Sequence, residues 1–297
     1  MKKTTLIALS AVIIASACTS KDKEYDATGT FEATEVIVSA EQNGKLMSFD
    51  VTEGSSVKAG QQVGLVDTVQ LSLKALRMGA TRDVYANQRP DMEKQIAVTR
   101  QQLATAEQEQ ARFTALVKEG AANRKQLDDA ISAVNVLKRQ LNAQISTLDN
   151  STKSLNSQMT TADIQRHEII DQLQKCHITS PINGVILEKY TEQGEFATIG
   201  KPLFKVADIE NMFMRAYVTT AQLQNIKIGQ RVVVMSDYGD GNRKSYNGTI
   251  TWISDRSEFT PKTILTDDER ADLVYAIKIA IKNDGNVKIG MYGEVKF

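Results

Sequence analysis

The stretch Gly44-Lys-Leu-Met-Ser-Phe-Asp-Val-Thr-Glu-Gly54-Ser-Ser-Val-Lys-Ala-Gly60 returns later in the chain. Its second copy is Gly184-Val-Ile-Leu-Glu-Lys-Tyr-Thr-Glu-Gln-Gly194-Glu-Phe-Ala-Thr-Ile-Gly200, 140 residues on. Glycine spacing alone is near the level of coincidence, so the repeat needs apolar support. It comes at the same offset from Leu46 with Ile186, Val57 with Ala197, Val63 with Leu203 and Val66 with Val206. Each copy reads as short alternating strands broken by Gly turns. Neither is long enough to bury its apolar face alone, so the two are expected to fold together as one small β-domain. Residues 68–176 then form an excursion out of that domain and back.

The excursion is helical. Leu71, Met78, Tyr85, Met92, Thr99, Ala106 and Phe113 are spaced by seven, with Ala75, Ile96, Leu103 and Val117 on the companion register. Arg82, Arg89 and Gln110 interrupt that register. This is a heptad seam. Pro90 lies inside it and predicts a kink or restart near Asn87–Pro90, with the register kept across it. A second arm runs from Leu127 through Val134, Leu141, Leu148, Leu155, Ala162 and Ile169 to Cys176, with Lys138, Thr152 and Arg166 as polar members. About 50 residues per arm at ~1.5 Å rise gives an antiparallel hairpin ~75 Å long. The tip falls at 118–124. Gly120 suits a left-handed helix end, and Asn123 followed by Gln126 reads as a capping box.

The ends of the chain carry other signals. Lys2 and Lys3 followed by the apolar run Leu6–Ile14 read as an export signal, too short to span a bilayer. Ala15-Ser16-Ala17 then precedes Cys18. Small residues followed by Cys resemble a bacterial lipobox, which makes Cys18 the expected lipid attachment site. Ordinary A-x-A cleavage, leaving an unmodified Cys, is the alternative. Residues 18–28 are a polar tether, and Gly29–Ala40 is β-rich. After residues 177–208, strands are expected at Met212–Val218, Val232–Val234, Ser245–Ile253, Leu273–Ile281 and Met291–Phe297. A short capped helix is expected at Thr219–Ile226. Asp240-Gly241 and Asp284-Gly285 mark turns. These strands suggest a small β-barrel over residues 209–297, with the strand before Ala40 available to complete it. The expected fold class is therefore α+β, elongated and multidomain.

Composition excludes several functions. The chain has 36 basic and 36 acidic residues among 297, without the basic stripe that nucleic-acid binding needs. His167 and His177 lack metal-ligand spacing partners. The nine Met residues read mostly as core and not as a cargo site. Cys176 reads as a small buried hydrophobe on an apolar helix position. No phosphate loop and no nucleophile–base constellation is present, so neither an enzyme nor a cofactor-dependent protein is expected.

In its order of parts the chain resembles the HlyD-type membrane fusion proteins, the periplasmic adaptors of tripartite export pumps. The paired halves are similar to the two halves of a biotinyl/lipoyl carrier domain. The turn that would hold a cofactor Lys is replaced, after Asp67, by the hairpin. The resemblance implies a non-enzymatic adaptor on the periplasmic side of a Gram-negative inner membrane, lipid-anchored and without cofactor or metal. It implies an inner-membrane transporter and a TolC-like outer-membrane channel as partners, and a homo-oligomer, commonly a hexamer. Family members dock the channel through an Arg, a Leu four residues on and a Ser seven further. Arg112 and Leu116 match that pattern, and Asn123 stands where Ser is usual. Met214–Val218, Glu258–Thr263 and Asp272–Tyr275 resemble segments of adaptors that serve ABC-type exporters. The end at Phe297, without the fourth domain usual in RND adaptors, is read in the same direction. RND and metal-efflux adaptors are the alternatives.

Overall fold

The computed structural model describes residues 25–239, 242–258 and 274–297. The expected signal segment, Cys18, the expected Asp240-Gly241 turn and residues 259–273, with the parts of the expected segments Glu258–Thr263 and Asp272–Tyr275 that fall there, lie outside the described residues. The chain is an α+β protein in two units. One combines residues up to Leu65 with Ile178–Phe297, and the other is the hairpin Val66–His177.

In the first unit the repeat becomes a sandwich. Its strands are β1 (Ala27–Ser39), β2 (Gly44–Phe49), β3 (Ser56–Val57), β4 (Gln62–Val66), β5 (His177–Thr179), β6 (Gly184–Lys189), β7 (Phe196–Ala197) and β8 (Pro202–Thr219). One sheet has the order β5-β4-β2-β7, and the other contains β1-β8-β6-β3. At the 140-residue offset these are the same four strands in the same order. Each half lends a strand to the other's sheet: β2 pairs with β7, and β6 with β3.

The backbone bonds are reciprocal. Gly54 donates to the Ile186 carbonyl (2.8 Å) and Gly194 to that of Leu46 (2.9 Å). Gly60 donates to Ser180 (2.7 Å) and Gly200 to Ala40 (2.8 Å). Asn43 Oδ1 accepts from Ile199 N and Asn183 Oδ1 from Ala59 N, both at 2.9 Å. The apolar residues matched in the sequence, Leu46, Ile186, Val57, Ala197, Val63, Leu203, Val66 and Val206, are all buried. The repeat is one domain with its chain exchanged between halves.

The remaining strands, β9 (Arg231–Asp237), β10 (Arg243–Glu258), β11 (Val274–Lys282) and β12 (Tyr292–Lys296), close a six-stranded antiparallel barrel with β1 and β8. The circuit runs β1-β12-β9-β10-β11-β8 and returns to β1. Phe31, Met212, Met214, Ile250, Ile277, Ile279 and Val295 fill its interior, so it is a packed core and not a pore. The short helix α4 (Thr220–Leu223) is capped by Thr219 and Gln222 in a capping box. The boundary expected at 208/209 falls inside β8. This strand and β1 run through sandwich and barrel alike, with a register shift between Glu32 and Thr34 where one gives way to the other. A bulge changes which face points inward without ending the strand.

The hairpin consists of α1 (Val69–Asn87), α2 (Met92–Lys118) and α3 (Arg124–Gln174). The ascending arm is interrupted at Gln88–Asp91, around Pro90. Asp91 Oδ1 then accepts from Lys94 N (3.2 Å) to restart it. The polar residues of the seam find partners across it: Arg82 Nε with Asp163 Oδ1 (3.5 Å), Arg89 with Asn156, and Glu107 Oε1 with Lys138 Nζ (2.9 Å). Arg166 lies over Gly79, its Nε 4.0 Å from where a Cβ would stand. All four pairs straddle the same midpoint, between Ala122 and Asn123. The register is therefore the same on both sides of Pro90. Cys176 is not a helix position: it lies in the turn after α3, fully buried, and burial followed by the Asp67 charge pushes its thiol pKa up.

Candidate functional site at the hairpin tip

The tip is built by local sequence. Ala121 N donates to the Leu116 carbonyl (2.8 Å) and Gly120 N to that of Val117 (3.1 Å). That pair of bonds is a Schellman motif, with Gly120 at φ +72°. Two residues later α3 begins. Asn123 Oδ1 accepts from Lys125 N (2.9 Å), and Gln126 Oε1 accepts from Asn123 N (3.0 Å). The helix thus stops and restarts within five residues, with its end groups satisfied by the chain itself.

The three sequence-singled residues occupy different places on this scaffold. Arg112 and Leu116 share a face of α2, one turn apart. Arg112 is exposed, forms an ion pair with Glu109 (3.0 Å) and places its guanidinium 5.4 Å from the Phe113 ring. Leu116 is half-buried. Asn123 stands exposed at the head of α3, its carbonyl oxygen committed to the cap. The structure gives no bond joining the three. Glu109 and Phe113, which hold the Arg112 side chain, were not assigned to the site from the sequence. The spacing of three between Glu109 and Arg112 is a local signal that identifies that pair, whereas Phe113, adjacent in the chain, carries no such signal.

The site can offer a guanidinium, an apolar side chain and a primary amide on a rigid helical end, which is the chemistry of a contact surface. Among the described residues no group of three or more His, Cys, Asp or Glu could hold a metal, and no helix is long and apolar enough to cross a membrane. The strongest electrostatic cluster lies in the barrel. There the Lys244 ammonium holds the Asp284 carboxyl well below the usual range. Burial, with the Tyr238 and Asp284 contacts, pushes the Tyr246 phenol up. This cluster anchors the loop after β11.

A β-sandwich interrupted by a helical hairpin and continued into a small barrel defines a class of barrel-sandwich proteins. Residues 34–209 match the family described as RND MFP, barrel-sandwich hybrid domain, and the chain belongs to this family of membrane fusion proteins. It is similar to the UPF0194 membrane protein YbhG of Salmonella arizonae, 34% identical over 127 residues, covering 42% of this chain and 38% of that protein. The YbhG of Salmonella gallinarum matches to the same extent. The matched stretch thus spans about two fifths of these curated relatives. Among solved structures, MacA from Actinobacillus actinomycetemcomitans is 21% identical with a TM-score of 0.54, over 91% of this chain and 76% of that one. A MacA-MexA chimera carrying the Pseudomonas aeruginosa MexA α-hairpin domain is 20% identical with a TM-score of 0.53, over 91% and 79%. These likenesses concern the fold.

Proposed function

We propose that the chain is a non-enzymatic periplasmic adaptor of a tripartite pump, joining an inner-membrane transporter to a TolC-like outer-membrane channel for efflux or secretion. The observation that carries this reading is the helical hairpin inserted between the two halves of the sandwich. Its tip is fixed by a Schellman end and a capping box, and it displays Arg112, Leu116 and Asn123 on a rigid end. In this reading Arg112 and Leu116 meet the channel, and the barrel meets the transporter. Acylated Cys18 holds the chain at the periplasmic face of the inner membrane, and several copies, six by family analogy, surround one conduit.

An ABC-type exporter is the preferred transporter. Two of the three segments resembling ABC-associated adaptors, Met214–Val218 and Glu258–Thr263, are remote in sequence, yet Arg215 of the first and Glu258 of the second form an ion pair at 2.5 Å. That pair supports reading them as one feature. The family description supports a second reading, an RND transporter. The test places a photo-crosslinker at Arg112, at Leu116 and at an exposed barrel position such as Tyr292 in cells. An outer-membrane channel is expected from the first two, and an ABC permease from the third. Absence of any channel product, beside a clean transporter crosslink, removes the docking role. An RND transporter captured at the barrel decides for the second reading.

A further inference from the structure

Strands β1, β9, β10 and β12 meet at one end of the barrel. Ala27 pairs with Val295, Val233 with Lys296 and Arg231 with Thr249. This is the end away from the sandwich, because β1 runs on from Ala27 to pair within the sandwich from Thr34 onward. Val232, Ile250 and Val295 fill the barrel core. Strand alternation therefore turns Arg231, Val233, Asn247, Thr249 and Lys296 outward, and all five are exposed. With Phe297 they line an open cleft of about 600 Å³. Its polar side chains are two cations, an amide and a hydroxyl, each able to donate to an anion.

These cations differ from the others on the barrel. Arg215, Arg243, Lys244 and Lys282 hold Glu258, Glu294, Asp284 and Glu210. Among the described residues, Arg231 and Lys296 hold no carboxylate, and neither does Lys227 in the turn before β9. Asp26, which enters this end with β1, accepts from Phe297 N (2.8 Å). The turn before β9 adds an apolar tip. Gln230 N donates to the Lys227 carbonyl and Lys227 N to Gln230 Oε1, both at 3.1 Å, with Gly229 in the left-handed region at φ +88°. Gly229 N donates to the Ile250 carbonyl (2.8 Å), which pins the turn beside β10. Ile228 is left at the tip, 66% exposed. An exposed aliphatic flanked by cations suits a surface that meets charged headgroups and acyl chains together. A soluble phosphate would leave Ile228 without a role.

We propose that the cleft between Arg231 and Lys296 binds the phosphate of an anionic membrane phospholipid, with Ile228 entering the apolar layer beneath the headgroups. The Arg231 guanidinium matches two phosphate oxygens as a fork, and Lys296 adds a point charge. Asn247 and Thr249 donate to the remaining oxygens of the headgroup. Cys18 stands eight residues before Asp26 in the sequence. Once acylated, it keeps this end of the barrel within ~28 Å of the bilayer. An acyl tether alone leaves the barrel free to turn, whereas a headgroup in the cleft fixes which end faces the membrane. The inference rests on the adaptor reading for that proximity, and it requires neither channel nor transporter.

The test uses the full-length protein in vesicles, with a dye that brightens in apolar surroundings attached through Ile228→Cys. Cys176 is fully buried and stays unlabelled, and protein with Ile228 intact gives the background. Brightening is expected in vesicles containing phosphatidylglycerol and not in phosphatidylcholine alone, and ~0.5 M salt should reverse it. Arg231→Ala with Lys296→Ala should reduce it at least about fivefold, the effect of losing one Lys or Arg near an anionic surface. Lys282→Ala with Lys288→Ala makes the same change of charge at the other end of the barrel and should leave it unchanged. Equal brightening in neutral vesicles, or no loss in the Arg231 and Lys296 variant, overturns the proposal. Reversal by soluble glycerol phosphate at sub-millimolar concentration makes the cleft a site for free phosphate and overturns the membrane assignment. Flotation with neutral vesicles reads the anchor separately. Protein that floats there without brightening in anionic vesicles keeps the acyl anchor and loses this site. Protein that floats only with anionic vesicles, and brightens, keeps the site and loses the anchor.

Discussion

Gly184, which opens the second copy of the repeat, and Gly54, the middle glycine of the first, are needed for different physical reasons. A Cβ on Gly184 would stand 2.2 Å from the Ala207 carbonyl oxygen, which cannot move without displacing β8. Gly54 has open space around it but a φ of +82°. Gly184→Ala should therefore cost about 3 kcal/mol, the upper end of overpacking. Gly54→Ala should cost about 1 kcal/mol, the left-handed penalty alone. Denaturant midpoints of the two variants will separate them. At the tip, Asn123→Ser should leave stability nearly unchanged, since either side chain accepts the cap bond. Asn123→Ala should lose about 1 kcal/mol. Thermal unfolding of the hairpin measures both, and a channel-crosslinking change in Asn123→Ser at equal stability would identify a contact made by the amide itself. Both the cap and the Gly120 end were legible in the sequence, because each is closed by bonds between residues only two to five apart. The partners of Arg82, Arg89 and Lys138 were not. They could be seen as polar interruptions, but their mates lie on the other arm.

At the scale of elements, the ascending arm is broken at Pro90 while α3 runs unbroken past the same level for its 51 residues. The segment of α3 opposite the break is rich in Ser and Thr. Ser157, Thr160 and Thr161 return hydrogen bonds to carbonyls four residues back, which loosens a helix slightly. No residue is fully buried between Ala75 and Ile96 on one arm, or between Val134 and Ala162 on the other. The break is thus a joint between two well-packed levels. Because it adds no residue to the register, Pro90→Ala should fuse α1 and α2 into one helix without shifting any cross-hairpin pair. Hydrogen–deuterium exchange should show protection rising at residues 87–92 and unchanged at 96–118; a shift of the Glu107–Lys138 pairing would contradict this. The seam and its kink were readable from the period of seven.

For the whole molecule, the sandwich holds together through bonds between its own halves, and the hairpin leaves and re-enters at adjacent points, with Val66 N bonded to Cys176 O at 2.9 Å. Replacing residues 68–175 by a turn of about two to four residues should give a protein that keeps its β-sheet dichroism and a single cooperative transition while the helical signal disappears. Failure to fold would show that the hairpin is needed to bring the halves together. The amino-acid sequence by itself determined the repeat, the helical period, the stop and restart at the tip, and the closing set of barrel strands. Each of these rests on alternation, spacing or turn chemistry within a few neighbouring residues. Only the tertiary structure decided that the halves exchange strands, that β1 and β8 belong to sandwich and barrel at once, and which polar seam residues pair. Those features are fixed by hydrogen bonds and packing between segments as distant in the chain as β1 and β12, where Ala27 pairs with Val295, and a linear pattern carries no record of which distant partner an alternating strand or an unpaired arginine will meet.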